Sequence, residues 1–417
     1  MALNPAPLPD FLRSFARIGL LSFGGPAAQI SLMHNELVEH RRWMSEPQFL
    51  GALSFCMLLP GPEAMQLATY AGWKLRGTTG GLIAGLFFVL PGAVVILALA
   101  LAYVALGQVP LVQALFLGIK AAVVIIVIKA LWSLSQKALK GPPHWVLAGL
   151  GFAAIFFVGL PFPLIIALAA LYGALSAGAT PGDAVPLPKG QFGRSAKGAV
   201  LFALLWALPM LAVWATGADF LTEIALFFSK LAVVTFGGAY AVLAYMTQAV
   251  VETRGWLSTA QMIDALGLAE TTPGPLILVT QFVALLAGYY EGGLGLALGA
   301  GALTLWVTFV PCFLWIFAGA PYLEWLLAQP RLKGALAAIS ASVVGVILNL
   351  SLWFALHVLF GEVSDATFGP LPVWSSFSAP AAGLTLLASV LMLGLRMPML
   401  PALGFMAAAG GLLGMTV

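Results

Sequence analysis

The stretch Phe15-Ala16-Arg17-Ile18-Gly19-Leu20-Leu21-Ser22-Phe23-Gly24-Gly25-Pro26 returns 213 residues later as Phe228-Ser229-Lys230-Leu231-Ala232-Val233-Val234-Thr235-Phe236-Gly237-Gly238-Ala239. The same offset carries Glu39, Arg41, Trp43, Ser45 and Gln48 onto Glu252, Arg254, Trp256, Ser258 and Gln261, and Pro60-Gly61-Pro62 onto Pro273-Gly274-Pro275. From residue 39 to residue 62, ten of 24 positions are identical to their mates. Further on, residues 118–124 match 338–344, the offset having drifted to 220. Fixed-period self-similarity means a repeated structural unit. The chain therefore divides into a first copy (1–198), a connecting helix (199–216) and a second copy (217–417).

Lipid is the main solvent of both copies. Of 417 residues 61% are hydrophobic and only 8% charged, against about 25% charged in a soluble domain. Residues 80–106, 111–135, 145–160, 161–177 and 199–215 are almost free of charge, and each is close to the ~17–25 residues that span a bilayer as a helix. Residues 1–10 are proline-rich and lack a basic segment, so no cleavable signal is expected. Cys56 and Cys312 lie far apart in apolar runs and read as small hydrophobes. No metal-spaced Cys/His cluster appears, and His34, His40, His144 and His357 read as loop or interface residues. No cofactor, metal or nucleic acid is expected.

Loop charge gives the orientation, because Lys and Arg concentrate in short cytoplasmic loops. The first copy is basic at Arg41/Arg42, Lys74/Arg76 and Lys137/Lys140, and the linker adds Lys189, Arg194 and Lys197. The mates are acidic or mixed: Glu252/Arg254, Glu291 and Glu362/Asp365. The uncharged turn 107–110 has a basic mate at Arg331/Lys333, and Arg396 sits opposite a neutral turn near Pro161. A bias that flips between copies is expected of inverted-topology repeats. The expected fold is an all-α polytopic membrane protein: two inverted-topology repeats with Gly/Pro-broken re-entrant helices and roughly ten to fourteen transmembrane segments.

Matched Gly/Pro breaks in both halves point to a binding site near the midplane. Here they are Gly24-Gly25-Pro26 with Gly237-Gly238, and Pro60-Gly61-Pro62 with Pro273-Gly274-Pro275. Pro ends one half-helix and suits the first turn of the next, whose unpaired N–H groups form an anion site. Residues 48–72 and 261–287 read as re-entrant hairpins, while the Gly24-Gly25 segment reads equally as a hairpin or an unwound span. Arg17 and Lys230 precede the Gly-Gly pairs by two helical turns and suit a divalent anion, with snorkelling to the interface as the alternative. Ser22, Gln66, Tyr240, Thr271, Thr272 and Gln281 are neutral groups near the breaks. Glu63, Asp264, Glu270 and Lys120 are candidate coupling groups, since ionisable groups at membrane depth are costly. For Lys120 a structural ion pair is the alternative, and for Glu63 a helix cap. Asn349 reads as helix–helix glue.

On Phe15, Ser22-Phe23-Gly24-Gly25-Pro26, Arg42-Trp43-Met44, Leu59-Pro60-Gly61-Pro62-Glu63-Ala64 and their copies through Thr272-Pro273-Gly274-Pro275, the sequence resembles the long, two-domain chromate ion transporters. The resemblance implies chromate efflux across the bacterial inner membrane, with sulfate as the related dianion, and it places the site on these motif residues. Ala239 departs from the pattern set by Pro26, so the two halves are not equivalent. The remaining classes are transport of another oxyanion or organic anion and, remotely, an intramembrane enzyme, for which no nucleophile–base or metal motif appears. Homodimerisation is compatible with the sequence but not fixed by it.

Overall fold

The computed structural model describes residues 7–178, 192–236, 238–366 and 369–414. Gly237, Lys189 and most of the basic linker lie outside the described residues, as do the side chains of Arg194 and Asp365.

Helix α1 (Leu8–Leu21) ends at Ser22, and α2 (Gly25–His34) starts with Pro26 in its first turn and widens into a π turn at Asn35–His40. Asp10, in the first turn of α1, reaches Arg41, just past that π turn, at 3.3 Å. The chain has therefore doubled back, with Gly24 and Gly25 (φ +89° and +75°) at the tip. Of the two readings left by the sequence, the hairpin is the one observed. Helix α3 (Glu46–Cys56) is started by a Ser45/Gln48 capping box and stops before Pro60. Helix α4 (Glu63–Leu106) then begins directly after Pro62. The Phe55 and Tyr70 rings lie 6.0 Å apart, so α3 and the start of α4 double back about Pro60-Gly61-Pro62.

Although helical over 44 residues, α4 is two helices. Arg76 (φ −142°, ψ 24°) and Gly77 (φ +66°, ψ −160°) break it, and a Cβ on Gly72 would overlap the Gly80 carbonyl. The arm 63–76 thus runs out to a corner and the chain returns through 77–106. Next come α5 (Pro110–Ala138), α6 (Pro142–Phe156), α7 (Phe162–Ser176), α8 (Phe192–Ala215) and α9 (Asp219–Val234). The order then repeats as α10 (Ala239–Gln248) with a π turn at Ala249–Thr253, α11 (Thr259–Thr271) and α12 (Val279–Gly319). Helix α12 breaks at Gly292 (φ −157°, ψ 24°) and Gly293 (φ +79°, ψ −166°), nearly the angles of the first corner. Both copies also place an arginine over a tryptophan beyond the π turn, Arg41 on Trp43 and Arg254 on Trp256. The chain closes with α13 (Leu323–Ala328), α14 (Pro330–Leu359), the hairpin β1 (Val363–Ala366) and β2 (Gly369–Pro372), α15 (Ala379–Ser389) with a π turn, and α16 (Met399–Gly414).

Among the described residues, five helical stretches are long and apolar enough to cross a membrane: Glu63–Leu106, Pro110–Ala138, Ser195–Ala215, Leu276–Ala328 and Pro330–Leu359. The chain is an all-α polytopic membrane protein, and β1–β2 is its one sheet among the described residues. Residues 145–160 and 161–177 are not the single spans expected. Their helices have 15 residues each, about 22 Å at 1.5 Å per residue against a ~30 Å hydrocarbon core. Gly159 (φ +66°) and Pro161 cut the apolar run in two.

Two compact units emerge, and each draws on both sequence copies. One takes the described parts of Met1–Ala98, Ala174–Ala239 and Thr272–Leu336. There α8 and α9 pack on α12, with Phe202 against Phe313 and Phe317. Leu201, Leu204, Leu208, Leu211 and Trp214 of α8 stay exposed, an apolar face suited to lipid. The other takes the described parts of Leu99–Gly173, Tyr240–Thr271 and Ala337–Val417. Its core joins Ala121, Ala122, Ile125 and Ile126 of α5 to Leu384 and Ala388 of α15 and Leu403 and Met406 of α16. Gly118 lies so close to the Met406 carbonyl that a Cβ would overlap it, the small-residue packing typical of helices in lipid.

Candidate functional site

The breaks of the two copies meet. The Gly61 amide donates to the Thr235 carbonyl at 2.9 Å, and the Gly274 amide donates to the Ser22 carbonyl at 2.8 Å. Gly61 and Gly274 are mates, and so are Ser22 and Thr235, so the two bonds are one contact made twice with the copies exchanged. Both glycines need their lack of a side chain. Their φ values are +118° and +85°, a region costly for other residues. A Cβ on Gly61 would also stand 2.8 Å from Gln66 Nε2 and 3.0 Å from Cys312 Sγ.

Side-chain amides hold this crossing. Gln29 Nε2 donates to the Gly274 carbonyl at 2.7 Å and to the Ser22 carbonyl at 3.2 Å, tying a residue from each copy. Gln66 Nε2 donates to Pro60 O at 2.7 Å, and Gln281 Nε2 to Ala93 O at 3.2 Å. All three glutamines are buried. The Ser22 and Thr235 hydroxyls each donate to the carbonyl four residues back, closing the last turns of α1 and α9. Ser22 thus spends its proton on its own helix. Gln29 was missed in the sequence because its mate is Val242 and the repeat does not mark it. The only signal was an amide inside an apolar segment.

The breaks are not equally accessible. Pro60 and Pro62 are half-buried, whereas Thr272, Pro273, Gly274 and Pro275 are buried. Gly238 has φ +103°. Glu63 is the first residue of α4 and half-buried, where the helix N-terminus favours its charge.

Arg17 and Lys230 both stand on exposed faces, and Arg17 does not point its charge into the amide-lined crossing. Its guanidinium lies 3.4 Å from Glu36, whose carboxylate also takes the Ser14 hydroxyl at 2.8 Å and Arg41 Nε at 3.1 Å. Burial pushes the Glu36 carboxyl up, but the Ser14 and Arg41 hydrogen bonds and the two guanidinium charges bring it below the ordinary glutamate value. Ala249 takes the place of Glu36 in the second copy, so the cluster belongs to the first half alone.

Of the coupling candidates, Glu63 stands in this unit at the start of α4, whereas Lys120, Asp264 and Glu270 fall in the other. Lys120 Nζ is 3.0 Å from Asp264 Oδ1, and the Tyr103 hydroxyl donates to Asp264 Oδ2 at 2.7 Å. Glu270 is buried and accepts from the Tyr240 hydroxyl at 2.9 Å. Thr271 donates to its own helix at Leu268 O. Tyr103 went unnoticed in the sequence because it sits at the end of an unbroken apolar run.

A polytopic all-α membrane protein whose broken helices interlock across an internal repeat is a membrane transporter. The chain belongs to the chromate transporter family, which it matches over residues 9–174 and over residues 222–415. It is 33% identical over 353 residues to a chromate transport protein of Pseudomonas aeruginosa, covering 82% of this chain and 80% of that one. It is 30% identical over 347 residues to a probable chromate transport protein of Synechococcus elongatus, covering 83% and 84%. A shorter relative, the uncharacterized transporter YwrB of Bacillus subtilis, is 32% identical over 154 residues, 37% of this chain and 77% of its own length. No solved structure matches the chain significantly.

Proposed function

We propose that this chain exports chromate from the bacterial cytoplasm across the inner membrane by alternating access, with the crossed breaks as its substrate site. The carrying observation is the reciprocal pair Gly61–Thr235 and Gly274–Ser22. It joins the two broken segments in one place, next to the start of α4, whose first-turn N–H groups suit a tetrahedral dianion. Glu63 occupies that positive helix end in the anion's absence and gives way when the anion binds. The repeats are inverted, with the corners at Arg76–Gly77 and Gly292–Gly293 on opposite sides of the membrane. Arg17 and Lys230 act on the approach, raising local anion concentration from their exposed faces. Support for chromate comes from the family and from the named activity of the Pseudomonas and Synechococcus relatives. Those names also favour transport over intramembrane catalysis.

Flux of chromate into everted membrane vesicles tests this, with sulfate in excess as competitor. Gly61→Ala and Gly274→Ala should each lower flux at least tenfold. Arg17→Ala and Lys230→Ala should raise KM while leaving the maximal rate largely intact. Sulfate inhibition of wild-type flux would place both dianions on one site. Absence of wild-type chromate flux would end the chromate reading, and full flux in both glycine variants would move the site away from the breaks.

A further inference from the structure

Lys120 lies in the middle of α5, a 29-residue apolar helix. Its partner Asp264 neutralises it, yet Lys120 is not sealed in: its side chain is 22% exposed. It lines a cavity of about 580 Å³ together with Thr259, His357, Glu362 and Ser364. A second cavity of about 480 Å³ is lined by Thr247, Glu252, Asn349 and Trp353, among others. The two share Thr259, His357 and Val363 and therefore adjoin. Each has room for well over ten waters at ~30 Å³ apiece. A cation kept only for packing has no need of such a chamber, and its mate in the second copy is Ser340, which carries no charge.

Several titratable groups surround Asp264. Facing it are Lys120 from α5 and Tyr103 from the end of α4. The chamber beyond adds His357 from α14 and Glu362 from the loop before β1, and its neighbour adds Glu252 from the π turn after α10. Glu270, on α11 itself, is engaged by Tyr240. With Asp264 ionised, the Lys120 pair is neutral and the chamber is bordered by two further carboxylates, so it repels an anion and attracts protons. One proton from hydronium on Asp264 Oδ1 leaves water and a neutral carboxylic acid. Lys120 keeps its own protons and charge and exchanges its bond to Asp264 for one to an anion.

We propose that Lys120 is the cation of a second oxyanion site, exposed to the anion when Asp264 takes up a proton. This rests on the reading of the chain as an oxyanion transporter, and it links anion binding at Lys120 to proton uptake. Thr259 adds a hydroxyl donor beside Lys120, while the Nδ1–H of His357 is held by the Trp353 carbonyl at 2.8 Å.

The test uses purified full-length protein. Stabilisation by chromate, read as a melting-temperature shift, and flux in proteoliposomes are both followed across pH. For the wild type, chromate affinity should rise at least tenfold as pH falls. Asp264→Asn should bind tightly at every pH, losing that dependence. Lys120→Gln should bind at least tenfold more weakly at low pH. Tyr103→Phe removes one of two donors to the ionised carboxylate without adding charge, and should move the transition to higher pH; this variant decides the matter if Asp264→Asn does not fold. An unaltered pH profile in Asp264→Asn or Tyr103→Phe, or undiminished low-pH affinity in Lys120→Gln, would overturn the proposal. A wild type that neither binds nor moves chromate, yet binds sulfate with this same pH dependence, would sink the chromate reading and leave the switch standing.

Discussion

Gln29 gives both hydrogens of one amide to two carbonyls that belong to different copies of the repeat. Replacing it by leucine leaves the Gly274 carbonyl buried without its side-chain donor, at a cost of about 1–3 kcal/mol. Gln29→Glu is worse, because it sets carboxylate oxygens against two carbonyl oxygens. Melting in detergent should therefore rank wild type above Gln29→Leu and Gln29→Leu above Gln29→Glu, with flux falling in the same order. If the two variants melt like the wild type, the amide is not a tie. At this scale the sequence was partly readable. Pro-Gly-Pro marked Gly61 and Gly274 because no other residue type stops and restarts a helix so sharply. For Arg17 the sequence left two readings, because a cation two turns before a break shares its face only if the side chain turns inward, and Glu36 holds it at the hairpin mouth. Glu36 lies 19 residues on, too far for any local pattern to pair them.

Among the elements, long helices were easier to find than to count. Apolar length located α5 and α8, and it separated α6 from α7 at the turn marked by Gly159 and Pro161, but it took each for a full span where the helices have only 15 residues. The corner of α4 was legible, because Lys74 and Arg76 separate the expected hairpin 48–72 from the expected span 80–106. Pro91 and Pro311, by contrast, sit inside α4 and α12 without ending them. Packing between elements follows small residues. A Cβ on Gly118 would overlap backbone, not a side chain that could swing aside. Gly118→Ala should separate α5 from α16 and lower stability by about 1–3 kcal/mol. Gly149→Ala, with open space around it, should leave the detergent melting temperature unchanged. Equal melting of the two variants would mean that the α5–α16 contact is not tight.

For the molecule as a whole, the repeat was legible because it is written in residue identities, and the membrane class because it is written in composition. The clasp between copies was not, since it is made by backbone groups that every residue carries. Inversion is tested with single cysteines on a background lacking Cys56 and Cys312. Lys74→Cys and Glu291→Cys, both on exposed positions beside the two corners, should react with an impermeant thiol reagent from opposite sides of the membrane. Labelling from the same side would make the repeats parallel.

The reciprocal clasp has a further consequence for inheritance and dosage. Each copy supplies one donor glycine and one acceptor carbonyl to its counterpart. A copy made alone would hold half of each fastening and, with the repeats inverted as proposed, would have to find a second polypeptide inserted the other way up. A cell relying on separate copies must then keep upright and inverted chains in equal number. The covalent link through residues 199–216 fixes that ratio at one to one in every molecule, and it frees the halves to diverge at Pro26 and Ala239, or at Gln29 and Val242, without losing their partner.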